Sequence, residues 1–447
     1  MITLLYCLAI ILRRPTDSNE QAVSKLCILN VVGLTPKLAA HAPRMLQLGT
    51  PQPWRSPLPA VTCTSQATML TGLAPREHGI VGNGWYFRDT GEIRFWQQSN
   101  RLIHGSKFYE GVQTAKLFWW FNQGAQVQWY VTPKPHYGSD GSKAFGILDE
   151  TDCRLTEQLG EFPFHGFWGP KAGLSSSDWI ARAAAVVLRE NSPQLTMVYL
   201  PHLDYDFQRF PTHDLARVAE VDACAGLVID AANDIGAKTI VVSEYGLVPV
   251  DQPVLLNRAL RSAGLLVVRD GPYGEMLMPM DSRAFAVVDH QLAHIYVSDE
   301  RDIAQVKRLV ESLPGVDAVV APGDVELDHP RSGELIALAE PNAWFAYYYW
   351  LDVARAPDFA RTVDIHRKPG YDPCELFMTS PTRAALRLAQ KKLGMRYRMD
   401  VIPLDPNLIR GSHGLRPADQ DGPVIIADSP PSDMRDFKRY VDEQLRS

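Results

Sequence analysis

The 447-residue chain lacks a C-x-x-C pair: its six cysteines, Cys7, Cys27, Cys63, Cys153, Cys224 and Cys374, are scattered. That excludes a zinc knuckle, a thiol redox motif and a disulfide-dense scaffold, and reduced thiols in a cytoplasmic protein are the expectation. An excess of charge of one sign is missing too. With 45 Lys and Arg against 51 Asp and Glu the net charge is −6, which gives no basic surface for a nucleic-acid polymer. No apolar run reaches the roughly 18 residues of a membrane-spanning helix. Internal repeats and low-complexity stretches are absent, and nothing in the sequence speaks to oligomeric state. What remains is a globular balance, 46% hydrophobic and 21% charged, with length for about three domains or one large α/β domain with insertions.

Ile2–Leu12 is apolar except for Thr3, but the arginines Arg13 and Arg14 follow the run instead of preceding it, and no small-x-small site comes after. Secretion through residues 2–12 is therefore the lesser alternative to a cytoplasmic location. Residues 1–22 read as an extension outside the fold, and 23–447 as the folded domain.

From Leu26 on, short apolar runs alternate with longer helical stretches, the pattern of a mostly parallel sheet covered by helices on both faces. Strands are predicted at Leu26–Val32, Thr114–Trp119, Leu195–Leu200 and Lys238–Ser243. Helices are predicted at Thr62–Leu70, at Asp178–Arg189 behind a Ser175–Ser177 cap cluster, and at His213–Asn233. Residues 280–325 read as a small α+β insert. Asp204 and Glu244 each follow a predicted strand, and open α/β sheets bind ligands at those carboxyl ends.

The stretch Leu58–Asn83, LPAVTCTSQATMLTGLAPREHGIVGN, places Thr62 at a helix start, where unpaired N–H groups and the dipole favour an anion. Thr62 there is either an N-cap or, if its pKa is lowered, a nucleophile. Thr62 precedes Gly72 of Thr71-Gly72 by ten residues, and His78-Gly79-Ile80 leads to Asn83. This run resembles the nucleophile segment of the type I phosphodiesterase/nucleotide pyrophosphatase branch of the alkaline phosphatase superfamily.

The resemblance implies a three-layer α/β/α sandwich with a central mostly parallel sheet and small inserts. It implies that Thr62 attacks phosphorus and that Asn83 binds a non-bridging oxygen. As metal ligands it implies Asp204, Glu244 and His413, the last in Gly411-Ser412-His413-Gly414. The family's remaining ligand positions fall on Val32, Gln208 and Tyr245, which replace an aspartate and two histidines. A two-zinc centre needs about three ligands per ion, so the count of ions implied is one, two or none. Substitute ligands are sought in His290, His366, Gln208 and Tyr245, with His202 and His294 further candidates; a histidine held by a hydrogen bond in the core is the competing reading of each.

Trp85, Tyr86, Trp119 and Trp120 are candidate walls of a substrate pocket, as are Ala343–Trp350 and His366–Pro373, where Arg367 and Lys368 suit an anionic substrate. Arg88 suits a phosphate or a surface ion pair. Asn30, two residues before Val32, shares its strand face and can bring an amide to the site. The expected activity is metal-dependent hydrolysis of a small phosphodiester, pyrophosphate or phosphate monoester through a phospho-threonine. The alternatives are a binding or accessory protein on the same fold, and phosphoryl or sulfuryl transfer in biosynthesis.

Overall fold

The computed structural model describes residues 24–139, 143–395 and 397–447. The expected extension at 1–22 lies outside them. In chain order the strands of the two larger sheets are β1 Lys25–Val31, β2 Gln52–Pro53, β3 Thr114–Leu117, β4 Trp129–Tyr137, β5 Lys143–Glu150, β6 Leu195–Leu200, β7 Ala237–Val242, β8 Ala284–Asp289, β9 Leu292–Val297, β10 Val316–Val320, β11 Leu335–Ala339 and β12 Val424–Ile426. The helices that matter here are α1 Thr62–Thr71, α2 Leu174–Asn191, α3 His202–Arg209, α4 Leu215–Asp234, α5 Ile303–Glu311, α6 Pro381–Lys392 and α7 Phe437–Arg446.

The main sheet runs β2-β12-β7-β1-β6-β3-β4-β5. Its central pairs, β7 with β1, β1 with β6, β6 with β3 and β3 with β4, are parallel, and β2, β12 and β5 pair antiparallel at the margins. Parallel strands covered on both faces must be apolar on both. LTMVYL of β6 is buried throughout, which is why this strand reads as an uninterrupted run in the sequence. The fold is the alkaline-phosphatase-like α/β architecture.

Helix starts differ from expectation in one place. Ser175–Ser177 lie inside α2, whose N-cap is Gly173; Ser176 Oγ donates back to the Gly173 carbonyl at 2.9 Å. Asp214 does cap α4, its carboxylate accepting from Ala216 N.

The insert is larger than 280–325. β8, β9, β11 and β10 form a four-stranded antiparallel sheet in that order, so β11 lies between β9 and β10 and the unit runs to Ala339. It has its own core, which also takes in Ala343–Trp350. Those residues are buried packing and not pocket wall: Trp344, Tyr347 and Trp350 are each at most 2% exposed. The cause is the large area an aromatic ring withdraws from water on packing.

Among the described residues no helix is long and apolar enough to cross a membrane.

Candidate active site

Four chain segments meet at the carboxyl end of the central strands. β1 ends at Val32-Gly33. Gly33 has φ +81, and a Cβ there would come within 3.0 Å of Leu247 Cδ1 and 3.5 Å of Asp204 N, so the close approach to α3 needs glycine. β6 delivers α3 with Asp204 and Gln208, one turn apart on one face. β7 delivers Glu244 and Tyr245. α1 starts here, with Val61 as its N-cap residue and Thr62 as the first helical residue.

Thr62 therefore does not cap its own helix. Its Oγ1 instead lies 3.0 Å from the Tyr245 hydroxyl. Asn83 Oδ1 accepts from Cys63 N at 3.0 Å, satisfying one of the free amides of the first turn. Asp289, at the end of β8, accepts from both Asn83 N (2.7 Å) and Asn83 Nδ2 (3.1 Å). One hydrogen of the Asn83 amide stays available to an oxygen in the cleft. Asp289 went unremarked as a site residue in the sequence because its partner lies 206 positions away.

Asp204 and His413 face one another. His413 Nδ1 is 2.8 Å from the Ala60 carbonyl, which can only accept, so Nδ1 carries the proton. Burial pushes this imidazole down to about 3, leaving a neutral ring with a lone pair on Nε2. Nε2 is 3.5 Å from Asp204 Oδ1, and both atoms are buried without a hydrogen-bond partner. Asp204 Oδ2 accepts from Gln208 Nε2 at 2.9 Å, and Gln208 Oε1 accepts from the Tyr371 hydroxyl at 2.9 Å. Burial pushes the Asp204 carboxyl up to about 7.

A column of four rings clamps His413. Tyr245 stacks on it at 3.5 Å between centroids and 6° between planes, His290 covers the other face at 3.6 Å, and Tyr371 stacks on His290 at 3.8 Å. His290 has φ +62, a left-handed conformation that costs energy for a residue with a Cβ, and it turns the β8–β9 hairpin into this column.

Glu244 is held differently. Its Oε1 accepts from Asn30 Nδ2 and from Gln66 Nε2, both at 2.6 Å, and burial pushes the carboxyl up to about 8. Val32 is fully buried in the main core and has no donor atom.

The donor set can thus be tested against the metals the resemblance implies. Two ligands of one tetrahedral zinc, each at about 2.0–2.2 Å, lie roughly 3.4 Å apart. The orphaned Asp204 Oδ1 and His413 Nε2 match that separation, so one ion fits here. Gln208 can add its amide oxygen, since a half-turn exchanges oxygen and nitrogen and leaves an N–H for the Tyr371 hydroxyl. A second ion finds fewer ligands. Val32 offers nothing and Tyr245 is engaged with Thr62, so only Glu244 Oε2 and Asn30 Oδ1, both buried without a hydrogen-bond partner, remain, short of the roughly three protein ligands a zinc ion takes.

His366 is not brought to these residues; its Nδ1 faces the Phe95 carbonyl at 3.4 Å on the cleft wall. His294 is a core histidine bonded to the Val81 carbonyl at 2.9 Å. His202 lies on the other face of α3, where its ring and the carboxylates of Asp206 and Glu220 come within 4.8 Å of one another. That cluster already has cations: Arg209 reaches Asp206 at 2.7 Å, and Arg217 reaches Asp206 at 3.7 Å and Glu220 at 3.4 Å.

Thr62, Asn83, Asp204, Tyr245 and His290 line the floor of a cleft of about 1540 Å³. Of Trp85, Tyr86, Trp119 and Trp120 only Trp120 lines it, and the expected segment His366–Pro373 contributes His366, Arg367 and Tyr371. Trp85 stacks on Phe87 under Arg331, Tyr86 packs edge-on against Phe285 and Tyr296, and Trp119 is fully buried. Trp96, Trp168 and Tyr205 complete the aromatic wall. Lys368 is no rim cation either. It is 1% exposed and bridges Asp372 and Glu375, each at 2.7 Å. Arg88 pairs with Glu334 at 2.8 Å. Arg94, Lys134, Lys171, Arg367, Lys391 and Arg398 line the cleft, Arg94, Arg367 and Arg398 each paired with a carboxylate, Glu92, Asp364 and Asp358.

Residues 26–372 match the family model for type I phosphodiesterase / nucleotide pyrophosphatase. The chain belongs to that family. It is, as such, a phosphoric ester hydrolase, and the family is generally dependent on a divalent metal. Among solved structures, the chain is similar to phosphonoacetate hydrolase from Sinorhizobium meliloti 1021 in complex with phosphonoacetate, at 16% identity and TM-score 0.59 over 95% of this chain and 96% of that one. It is also similar to murine ectonucleotide pyrophosphatase / phosphodiesterase 5, at 12% identity and TM-score 0.55 over 94% and 95%, and to the human form at 11% and 0.55. These likenesses carry the fold. No curated protein matches the sequence.

Proposed function

We propose that this phosphodiesterase-family protein cleaves a small phosphodiester, pyrophosphate or phosphate monoester by in-line attack of Thr62 Oγ on phosphorus. A phospho-threonine forms as the leaving alkoxide or phosphate departs, and water then releases the phosphoryl group. The observation that carries the reading is the pair of unpartnered lone pairs on Asp204 Oδ1 and His413 Nε2 beside Thr62 at the cleft floor.

Asp204 and His413, with the Gln208 amide, would hold one divalent ion, zinc by its nitrogen and oxygen donors, and a bound ion supplies positive charge at the reacting phosphoryl group. The protein's own residues do the rest. Asn83, fixed by Asp289, offers an N–H to an equatorial oxygen as charge spreads over it. The four-ring column keeps His413 in one orientation. Aromatic walls shield the site and suit a flat leaving group, and the basic residues lining the cleft raise the local concentration of an anion. An inactive variant of the murine relative has been crystallised with AMP, a phosphoester that carries a flat base.

The test is zinc content of the purified protein followed by turnover of bis-(p-nitrophenyl) phosphate, p-nitrophenyl phosphate and a dinucleotide pyrophosphate, with Thr62→Ala as control. Turnover by the zinc-loaded wild type, lost in the variant together with the phospho-Thr62 peptide by mass spectrometry, is the expected result. A protein that takes up no divalent ion, or turnover that survives in Thr62→Ala, overturns it. The first of these would leave a binding protein on a hydrolase fold, the reading favoured by the donors lost at Val32 and Tyr245.

A further inference from the structure

On one side of Thr62 the lone pairs of Asp204 Oδ1 and His413 Nε2 face each other unpartnered, whereas on the other the Tyr245 hydroxyl and Glu244 Oε1 are taken up by hydrogen bonds within the protein. Tyr245 OH lies 3.0 Å from Thr62 Oγ1. The ring that carries this hydroxyl is locked flat against His413. The next residue back, Glu244, is tied by Asn30 from β1 and Gln66 from α1, each at 2.6 Å. Gln66 is itself fixed, its Oε1 accepting from Trp120 N at 2.9 Å. The Glu244 side chain next to Tyr245 is thereby held through Oε1. With no donor on Val32 and the Tyr245 hydroxyl on Thr62, Glu244 Oε2 and Asn30 Oδ1 alone fall short of the roughly three ligands of a second ion.

We propose that Tyr245 is a positioning residue of a one-ion centre. Its hydroxyl holds Thr62 Oγ in the attacking rotamer and takes over the orienting task that a second ion would otherwise perform. A threonine hydroxyl has three staggered rotamers, and a hydrogen bond from a rigid partner selects one of them. Tyr245 OH neither bonds to phosphorus nor leaves, so the covalent balance is unchanged. Thr62 Oγ–P forms, the bond to the leaving oxygen breaks, and the threonine proton passes to solvent or to the departing oxygen.

This inference rests on the hydrolase reading, and its test separates the two. Tyr245→Phe keeps the ring column and deletes only the hydroxyl. The full-length wild type and this variant are compared for bound zinc by elemental analysis and for kcat and KM on the best substrate of the panel above. The expected result is one zinc per chain in both proteins, an unchanged KM, and kcat lower by about 10²-fold in the variant, the scale of losing one well-placed donor. An unchanged kcat in Tyr245→Phe overturns the inference while the hydrolase reading stands. Loss of zinc together with kcat also overturns it, because the Tyr245 hydroxyl would then act through the metal ligands and not on Thr62. Two zinc ions in the wild type overturn it as well. A zinc-loaded wild type that turns over no phosphoester overturns both readings.

Discussion

The two sides of Thr62 descend from one pattern of donors and have gone opposite ways. On the side of α3, Asp204 and His413 keep unpartnered atoms 3.5 Å apart inside a closed pocket. On the side of β1 and β7, Val32 has no donor, the Tyr245 hydroxyl is on Thr62 and Glu244 Oε1 is bonded to Asn30 and Gln66, with Glu244 Oε2 and Asn30 Oδ1 left without a partner. An unpaired buried acceptor costs about 1–3 kcal/mol, so two of them facing each other point to a cation or a proton that joins them. The difference teaches that a carboxylate alone does not mark a candidate metal site. What marks one is a pair of unspent lone pairs at the spacing of two ligands, as Asp204 Oδ1 and His413 Nε2 are.

The largest effect expected from breaking this contrast is at Thr62, the proposed nucleophile between the two sides. Thr62→Ala lowers kcat by at least about 10⁴-fold without lowering bound zinc. Removing a donor on the open side comes next. Asp204→Ala and His413→Ala lose the zinc, read by elemental analysis, and lower kcat on the order of 10³-fold.

On the closed side the same kind of change is mild. Glu244→Gln presents the same oxygen to Asn30 and Gln66, so zinc content is unchanged and kcat falls less than about tenfold. A metal-ligand role for Glu244 predicts loss of zinc instead. Trp120→Ala, on the cleft wall, raises KM by about tenfold for an aryl or nucleoside ester and leaves kcat within a few-fold.

The smallest effect is on stability. Burial raises Asp289 to about 7 and Glu244 to about 8, above their unfolded values near 4. A raised folded-state pKa means that the native state binds more protons than the unfolded chain between those limits. Stability of the chelator-treated protein is therefore full below about pH 4 as far as these groups go, falls as pH rises, and levels off above about 8. Buried neutral histidines such as His78, His202, His294 and His413, lowered to about 3–4, act the opposite way up to about pH 6.5, so thermal unfolding followed from about pH 7 to pH 8.5 should show Tm declining. A rising Tm would mean that these carboxyls are paired with charge and not merely buried.

The central strands were legible because a doubly covered parallel strand is apolar on both faces, as in β1 and β6. Thr62, Asn83, Asp204, Glu244, Tyr245 and Gln208 were named through the family resemblance, and the fold brings them together with His413. The interactions that fix them were not. Asp289 with Asn83, Gln66 with Glu244 and Tyr371 with Gln208 join residues more than 150 positions apart, and such pairing leaves no periodicity in a sequence. Trp85, Tyr86, Trp119 and Lys368 were misplaced for a related reason. An aromatic or a lysine near a site motif looks like a ligand-facing residue until packing area or a buried ion pair claims it, as Asp372 and Glu375 claim Lys368. The insert was drawn too short because β11 lies beyond a loop and pairs between strands that precede it.

The most direct measurement is the number of zinc ions bound per chain, determined by elemental analysis on protein stripped with a chelator and reloaded with excess zinc. The account predicts one, abolished by Asp204→Ala and untouched by Tyr245→Phe or Glu244→Gln. Two ions per chain, or one that survives Asp204→Ala and disappears with Glu244→Gln, would contradict it.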